Sequence, residues 1–237
     1  MKGLFFSLAL CVLTGCATSG TNSNDPYEDF NRSVYKFNRG LDKAVLQPVA
    51  KGYQAVTPDP VETGFSNFFD NIGDVGNMVN NALQFKLGDA ASDLGRFLIN
   101  STIGLAGFFD PASAMGLEKS DEDFGQTLAT WGVGSGPYLM LPFLGPSTMR
   151  DTFAMPGDNY LDPFSEVKPE RDEYALKGFR LLITRAELLE LESQLESAID
   201  EYAFVRDAYL QNRKFKVYDG DLPLDDVFEC DPEYEEC

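Results

Sequence analysis

Histidine is missing from all 237 positions of this chain. Without an imidazole there is no Ser-His-Asp or Cys-His nucleophile system, no histidine proton shuttle and no His-containing metal site. Cations are scarce as well. The chain carries 19 Lys and Arg against 38 Asp and Glu, a formal charge of −19. Binding to nucleic-acid phosphates needs clustered cations, so no nucleic-acid partner is expected. Nothing follows the Gly-x-Ser-x-Gly pattern, and the glycines of residues 132–136 (GVGSG) lack both Rossmann spacing and a strand–helix context. Residues 219–221 (DGD) fall short of an EF-hand loop in ligand count and glycine position. The abundant carboxylates read as solvated surface. Catalysis, a metal and a cofactor are therefore all unexpected. Alternating ten-residue segments, the mark of an outer-membrane barrel, are missing too.

What is present begins with an address. Met1 and Lys2 precede a ten-residue apolar run, residues 4–13, too short to span a bilayer and right for a signal-peptide core. Leu13-Thr14-Gly15-Cys16 follows. This resembles the bacterial lipobox, which implies that Cys16 is acylated and becomes the first residue of the mature chain. Ala17 stands where that family's inner-membrane retention signal would be an Asp, which implies sorting to the outer membrane, facing the periplasm. Several acyl chains on one cysteine suffice for stable anchoring. The expected layout is a signal peptide over residues 1–15, a lipid-anchored tether over 16–25, a helical domain over 26–215 and an acidic tail over 216–237. Cys230 and Cys237 enclose an acidic hexapeptide in that tail, as a small disulfide loop or as two exposed thiols.

The periodicity is helical throughout, so the expected fold is all-α. Asp25-Pro26-Tyr27-Glu28 reads as a helix start with Asp25 as cap. Phe30, Val34, Phe37 and Leu41 then form one helix face, ended by Pro48, and a short helix covers residues 49–56. Val61, Phe65, Phe68, Ile72, Val75 and Val79 form another face, with Gly73 and Gly76 expected to break or bend it. Leu87, Ala91, Leu94 and Leu98 begin a further helix. Leu188 to Tyr209 carries a 3-4-3-4 stripe, read as one amphipathic helix or a pair, with Asp200 as the cap of the second.

Two distributions stand out. Residues 127–149 hold no charge over 23 positions but contain too many Gly and Pro for one helix, so this segment must be buried, line a cavity or lie at a lipid interface. Seven phenylalanines fall between residues 60 and 110 beside only two cations, Lys86 and Arg96. They form either a Phe-rich core or a face lying in a lipid leaflet. Interfacial helices usually place Lys and Arg on the polar face, which counts against simple adsorption to a membrane surface.

Several blocks in a fixed order then resemble the MlaA (VacJ) lipoproteins of diderm bacteria. They are residues 25–32 (DPYEDFNR) with 35–38 (YKFN), 48–50 (PVA), 100–110 (NSTIGLAGFFD), 123–128 (DFGQTL), 132–138 (GVGSGPY) with 141–143 (LPF), Arg150-Asp151, 185–187 (RAE) and 202–209 (YAFVRDAY). The likeness covers about residues 13–215, leaving the tail outside it. It implies a ring of amphipathic helices in the inner leaflet of the outer membrane, around a central amphipathic channel. It also implies removal of stray phospholipids from the outer leaflet, delivery to the periplasmic carrier MlaC, and contact with trimeric porins, without covalent chemistry. On this reading Phe65, Phe68, Phe69, Ile72, Phe108 and Phe109 face the membrane. Asn38, Asn67, Asn71, Gly132, Gly134, Gly136, Pro137, Tyr138, Pro142 and Phe143 border the channel or a cavity, with Asn80 and Asn81 also turned inward. Arg150 and Lys86 are either phosphate-steering groups or ordinary ion-pair cations. The competing class is a non-transporting envelope lipoprotein that scaffolds a porin or peptidoglycan.

Overall fold

The computed structural model describes residues 25–222. The signal peptide, Cys16, the tether to residue 24, Cys230 and Cys237 lie outside them.

Helix α1 (Glu28–Leu41) passes through a π turn (Asp42–Leu46) directly into α2 (Gln47–Val56). Pro48 therefore does not end the first helix. It sits in the opening turn of α2, just after Gln47 N–H bonds back five residues to the Asp42 carbonyl. That widened turn relieves the clash between a proline ring and the carbonyl four residues earlier. Asp25 is not the expected cap either. Its carboxylate is fully buried, accepting from Asn31 Nδ2, the Tyr202 hydroxyl and Arg206 Nη1.

Helix α3 (Asp59–Leu83) runs unbroken through Gly73 and Gly76, because its neighbours supply the packing that the glycines lack. It forms a hairpin with α4 (Leu87–Thr102), which is inside out. Its buried face is Ala90, Asp93, Arg96 and Asn100, while Leu87, Leu94 and Leu98 are exposed. The buried groups find partners across the hairpin and in the next loop. Asn81 Nδ2 donates to Asp93 Oδ2 at 2.8 Å, Asn71 Nδ2 to Ser101 Oγ at 3.0 Å, and Arg96 Nη2 to Asp110 Oδ2 at 3.0 Å.

A short α5 (Pro111–Ala114) and α6 (Phe124–Thr130) follow, capped by Asp110 and Asp123. Against the all-helical expectation, β1 (Tyr138–Leu141) and β2 (Gly145–Thr148) then form an antiparallel hairpin. Its outer edge is held by two side-chain amides of α1. Asn31 accepts from Met140 N at 2.8 Å and donates to the Tyr138 carbonyl at 3.1 Å. Asn38, two turns on, accepts from Phe143 N at 2.9 Å and donates to the Leu141 carbonyl at 2.8 Å. The amides satisfy backbone groups that an edge strand leaves open.

The chain finishes with α7 (Met149–Leu161), α8 (Glu170–Glu187), α9 (Glu192–Ser197) and α10 (Glu201–Val217). The 188–209 stripe is thus divided, and Asp200 caps α10 by accepting from Tyr202 N and Ala203 N.

Packing runs in a closed circuit. α1 meets β1, β2 meets α10, α10 meets α6, α6 meets α3, α3 meets α8, and α8 meets α2, which continues α1. Ion pairs tie the seam, with Arg185 on Asp42 at 2.6 Å and Arg39 on Glu192 at 2.6 Å. Two small apolar clusters support the circuit. One gathers Phe69, Phe164 and Ile183 with Phe65, Phe68, Ile72 and Phe179, and the other gathers Tyr138, Met140 and Tyr202.

Candidate functional site

Two half-open cavities lie between these elements, of about 330 and about 310 Å³. The first is bordered by α3, by the loop that leads into α6, by the C-terminal end of α7 with the turn after it, and by Arg180 of α8. On α3 it meets Gly73 and Gly76, one turn apart on the same face. A Cβ at Gly76 would touch nothing within 4 Å, and one at Gly73 would approach only the Arg180 guanidinium, at 3.9 Å. The glycines therefore keep this wall recessed. Asn77 fixes the opposite rim by donating to the Ser120 carbonyl at 2.9 Å and accepting from Glu122 N at 3.0 Å. Asp121, Glu122, Asp123, Asp158 and Asp162 line this cavity, with Arg180 as the cation among its lining residues.

The second cavity lies against α10, where Tyr209, Arg213 and Lys216 face Ser147 and Asp151. The two cavities share Asp123 and Asp158 in their linings, so they adjoin on either side of these carboxylates. The junction is built around Arg213. Its Nη2 reaches Asp123 Oδ1 at 2.7 Å and Asp151 Oδ1 at 2.9 Å, and its Nη1 also bonds Asp123. Gly125 makes that approach feasible, because a Cβ there would stand 2.4 Å from both Arg213 Nη2 and Asp151 Oδ1.

Burial acts to raise the pKa of Asp123 and of Asp151, but hydrogen bonds and charge from Arg213 outweigh it and hold both below the usual carboxylate range. Asp158 goes the other way. Burial, reinforced by the charges of Asp123 and Asp151, lifts it to about 6, although it accepts from Phe124 N at 2.7 Å. Behind the first cavity, Asp74 is 1% exposed and is raised to about 7 by burial, with Arg96 Nε 3.6 Å away.

A sequence model of the family described as "MlaA lipoprotein" matches residues 23–216. The chain belongs to the MlaA lipoprotein family. Among its MlaA relatives, the "Intermembrane phospholipid transport system lipoprotein MlaA" of Escherichia coli (strain K12) is 36% identical over 225 residues, covering 91% of this chain and 88% of that one. The protein of the same name from Haemophilus influenzae is 35% identical over 224 residues, covering 91% and 90%. A solved structure described as "Structural basis for maintenance of bacterial outer membrane lipid asymmetry" superposes with a TM-score of 0.71 at 33% identity, covering 81% of this chain and 98% of that one.

The MlaA fold distributes the sequence-derived site residues over several environments. Phe69, expected on the membrane side, is buried within the chain. It is 4% exposed, and Phe65, Phe68 and Ile72 pack half-buried around it against Phe164, Phe179 and Ile183. The apolar stripe of α3 has a partner within the chain, α8, that periodicity in α3 cannot reveal. Phe108 is half-buried edge-on to Phe65, while Phe109 is exposed. Neither cavity is bordered by Asn38, Asn67, Asn71, Gly132, Gly134, Gly136, Pro137, Tyr138, Pro142 or Phe143. Asn38 clamps the β-hairpin, Asn67 lies on the Phe108 carbonyl, Asn71 is buried within the α3–α4 hairpin, and Tyr138 is wholly buried under α10. The three glycines, Pro142 and Phe143 are exposed, and Pro137 is half-buried. Of the inward-turned asparagines, Asn80 does line the first cavity, and Asn81 is buried toward α4. Lys86 pairs with Glu122 and Asp219, and Arg150 with Asp151, as ordinary ion-pair cations.

The residues missed were Gly73, Gly76, Asp158 and Arg213. The signal available for the glycines was their i, i+3 spacing on one face. The acids and Arg213 carried none, because they converge from four separate segments.

Proposed function

We propose that this chain draws misplaced phospholipid from the outer leaflet of the outer membrane through the two adjoining cavities and passes it to the periplasmic carrier MlaC, which maintains lipid asymmetry. The observation that carries the reading is inverted polarity. Buried Asn71, Asp74, Asn80, Asn81, Asp93, Arg96 and Asn100 stand behind exposed Leu87, Leu94, Leu98, Ile103, Leu105 and Phe109. Water would drive those apolar groups inward, whereas hydrocarbon leaves them outside and forces the polar groups to pair with one another. Among the described residues no helix is long and apolar enough to cross a membrane. The belt on α4 therefore suits a body held in one leaflet by the acyl chains on Cys16, with a trimeric porin as neighbour. A polar interior lowers the several kcal/mol or more that a bare headgroup would cost in hydrocarbon. The names of the E. coli and H. influenzae relatives agree with phospholipid transport.

The test is outer-leaflet phospholipid, measured with a membrane-impermeant amine label in cells lacking the gene. A rise on deletion, reversed by the wild-type chain and not by Cys16→Ser, is expected. An unchanged leaflet would move the assignment to a porin-binding scaffold.

A further inference from the structure

The belt on α4 is one exposed apolar surface, and the continuous helix of α1, the π turn and α2 carries another. Resting on the leaflet-held chain proposed above, we infer that this long helix lies along the phospholipid leaflet that holds the acyl anchor. Its apolar stripe meets hydrocarbon, and three lysines on its exposed flank meet lipid phosphates.

Phe30, Phe37, Val45, Val49 and Val56 are all exposed. They follow one another at intervals of seven, eight, four and seven residues, and two turns of α-helix take about seven. The longer step falls across the π turn Asp42–Leu46, whose wider winding absorbs the extra residue and keeps all five on one side. At the tip of the β-hairpin, Phe143 stands edge-on to Phe37 at 5.2 Å and, with Leu144, broadens the stripe. Lys36, Lys43 and Lys51 recur at the same interval and are exposed. Between them and the stripe lie Gly40, Ala44 and Gly52, and a Cβ at either glycine would touch nothing within 4 Å. Lys36 and Lys51 have no ion-pair partner among the described residues, and Lys43 is 3.8 Å from Glu201. In a chain of charge −19 these lysines form a cationic flank that an anionic surface complements. An apolar stripe flanked by lysine is the pattern of a helix lying in a bilayer interface, and the lysine stems let the ammonium groups reach lipid phosphates. It is the cationic flank that residues 60–110 lack. The covalent chain also keeps a leaflet close. Cys16 stands nine residues before Asp25, at most about 30 Å of extended backbone. Asp25 is buried against Asn31 in the opening turns of α1. An acyl anchor on Cys16 is therefore held near the end of the helix where the stripe begins.

The full-length mature lipoprotein, carrying Cys230→Ser and Cys237→Ser to remove other thiols, would be reconstituted in vesicles of equimolar phosphatidylethanolamine and phosphatidylglycerol. Nitroxide labels would be placed in turn through Val49→Cys, Lys36→Cys and Leu98→Cys. All three positions are exposed, so the labels leave the fold intact. Collision with oxygen, which concentrates in hydrocarbon, is compared with collision with a water-soluble nickel chelate. The oxygen-to-nickel ratio at Val49→Cys is expected to match that at Leu98→Cys and to exceed that at Lys36→Cys severalfold. Adding Lys36→Glu and Lys51→Glu should repel the phosphates and lower the ratio at Val49→Cys, and an unmoved ratio overturns the headgroup contact. A nickel-accessible label at Val49→Cys beside an oxygen-rich one at Leu98→Cys overturns the inference and leaves the leaflet reading of α4 standing. A label at Val49→Cys shielded from both reagents overturns it in favour of a protein cover, the acidic tail or a second copy. Nickel access at both Val49→Cys and Leu98→Cys removes the leaflet reading and the inference with it.

Discussion

Single residues here are decided by what lies across a narrow gap. Gly125 has an unremarkable place in its helix, yet a side chain there would clash with Arg213 and Asp151 where they pair. Gly125→Ala should therefore cost about 1–3 kcal/mol, read as a lower melting temperature, despite alanine being the better helix former. Asp74 gives a pH signature. Burial raises its pKa from 3.8 to about 7, so the folded state holds the proton more tightly than the unfolded chain does. Its contribution to stability is complete below about pH 4 and is lost as pH rises through 7. Asp74→Asn should flatten that part of the stability curve, gaining on the order of a few kcal/mol over wild type at pH 8 and nothing at pH 4. Denaturant melts at the two pH values check it, and equal curves would show that Arg96 fully compensates the charge. Neither feature is legible in the sequence, because both depend on a group far along the chain.

At the level of elements, local pattern and tertiary context disagree in instructive places. The periodicities gave the helical type of the segments that became α3 and α4, since spacing is a property of the segment itself, but not that α3 runs unbroken past Gly73 and Gly76. Periodicity does not say what the apolar face meets. The stripe of α3 meets α8, whereas Leu87, Leu94 and Leu98 of α4 are exposed among the described residues. Leu94→Asn with Leu98→Asn should accordingly leave the folded state within about 0.5 kcal/mol. In a chain lacking residues 1–16, the same pair should reduce partitioning into vesicles by at least about tenfold. Phe69→Ala should do the opposite, costing about 3–5 kcal/mol of stability with no direct effect on the outer surface. Vesicle flotation and melting of both variants separate the two roles, and loss of partitioning in neither would remove the lipid-facing assignment of α4. The β-hairpin escaped the sequence for another reason. Its four-residue strands are too short to show alternation, and their edge is satisfied by Asn31 and Asn38 from more than a hundred positions away.

The whole molecule adds closure. Helices that would be marginal alone are held by their neighbours around the circuit, and the first cavity between them is lined mostly by polar and acidic groups. Gly73 and Gly76 set how much of that space remains. Gly76→Trp should fill the first cavity and raise outer-leaflet phospholipid to the level of a deletion at unchanged protein abundance. Gly76→Ala, which projects into open space, should restore wild-type behaviour and stabilise α3 slightly. A fully active Gly76→Trp chain would route lipid elsewhere than through this cavity.

The amino-acid order alone determined the helical class, the lack of histidine and the family likeness. These are properties of composition and of short spacings, which a linear chain carries in full. Only the tertiary structure decided which apolar faces are core and which are exposed, that Gly73 and Gly76 line a cavity rather than break a helix, and that Asp123, Asp151 and Arg213 meet. The physical reason is that burial and charge pairing are relations between segments. They acquire values only when the circuit closes and brings residues 73, 123, 158 and 213 to one place.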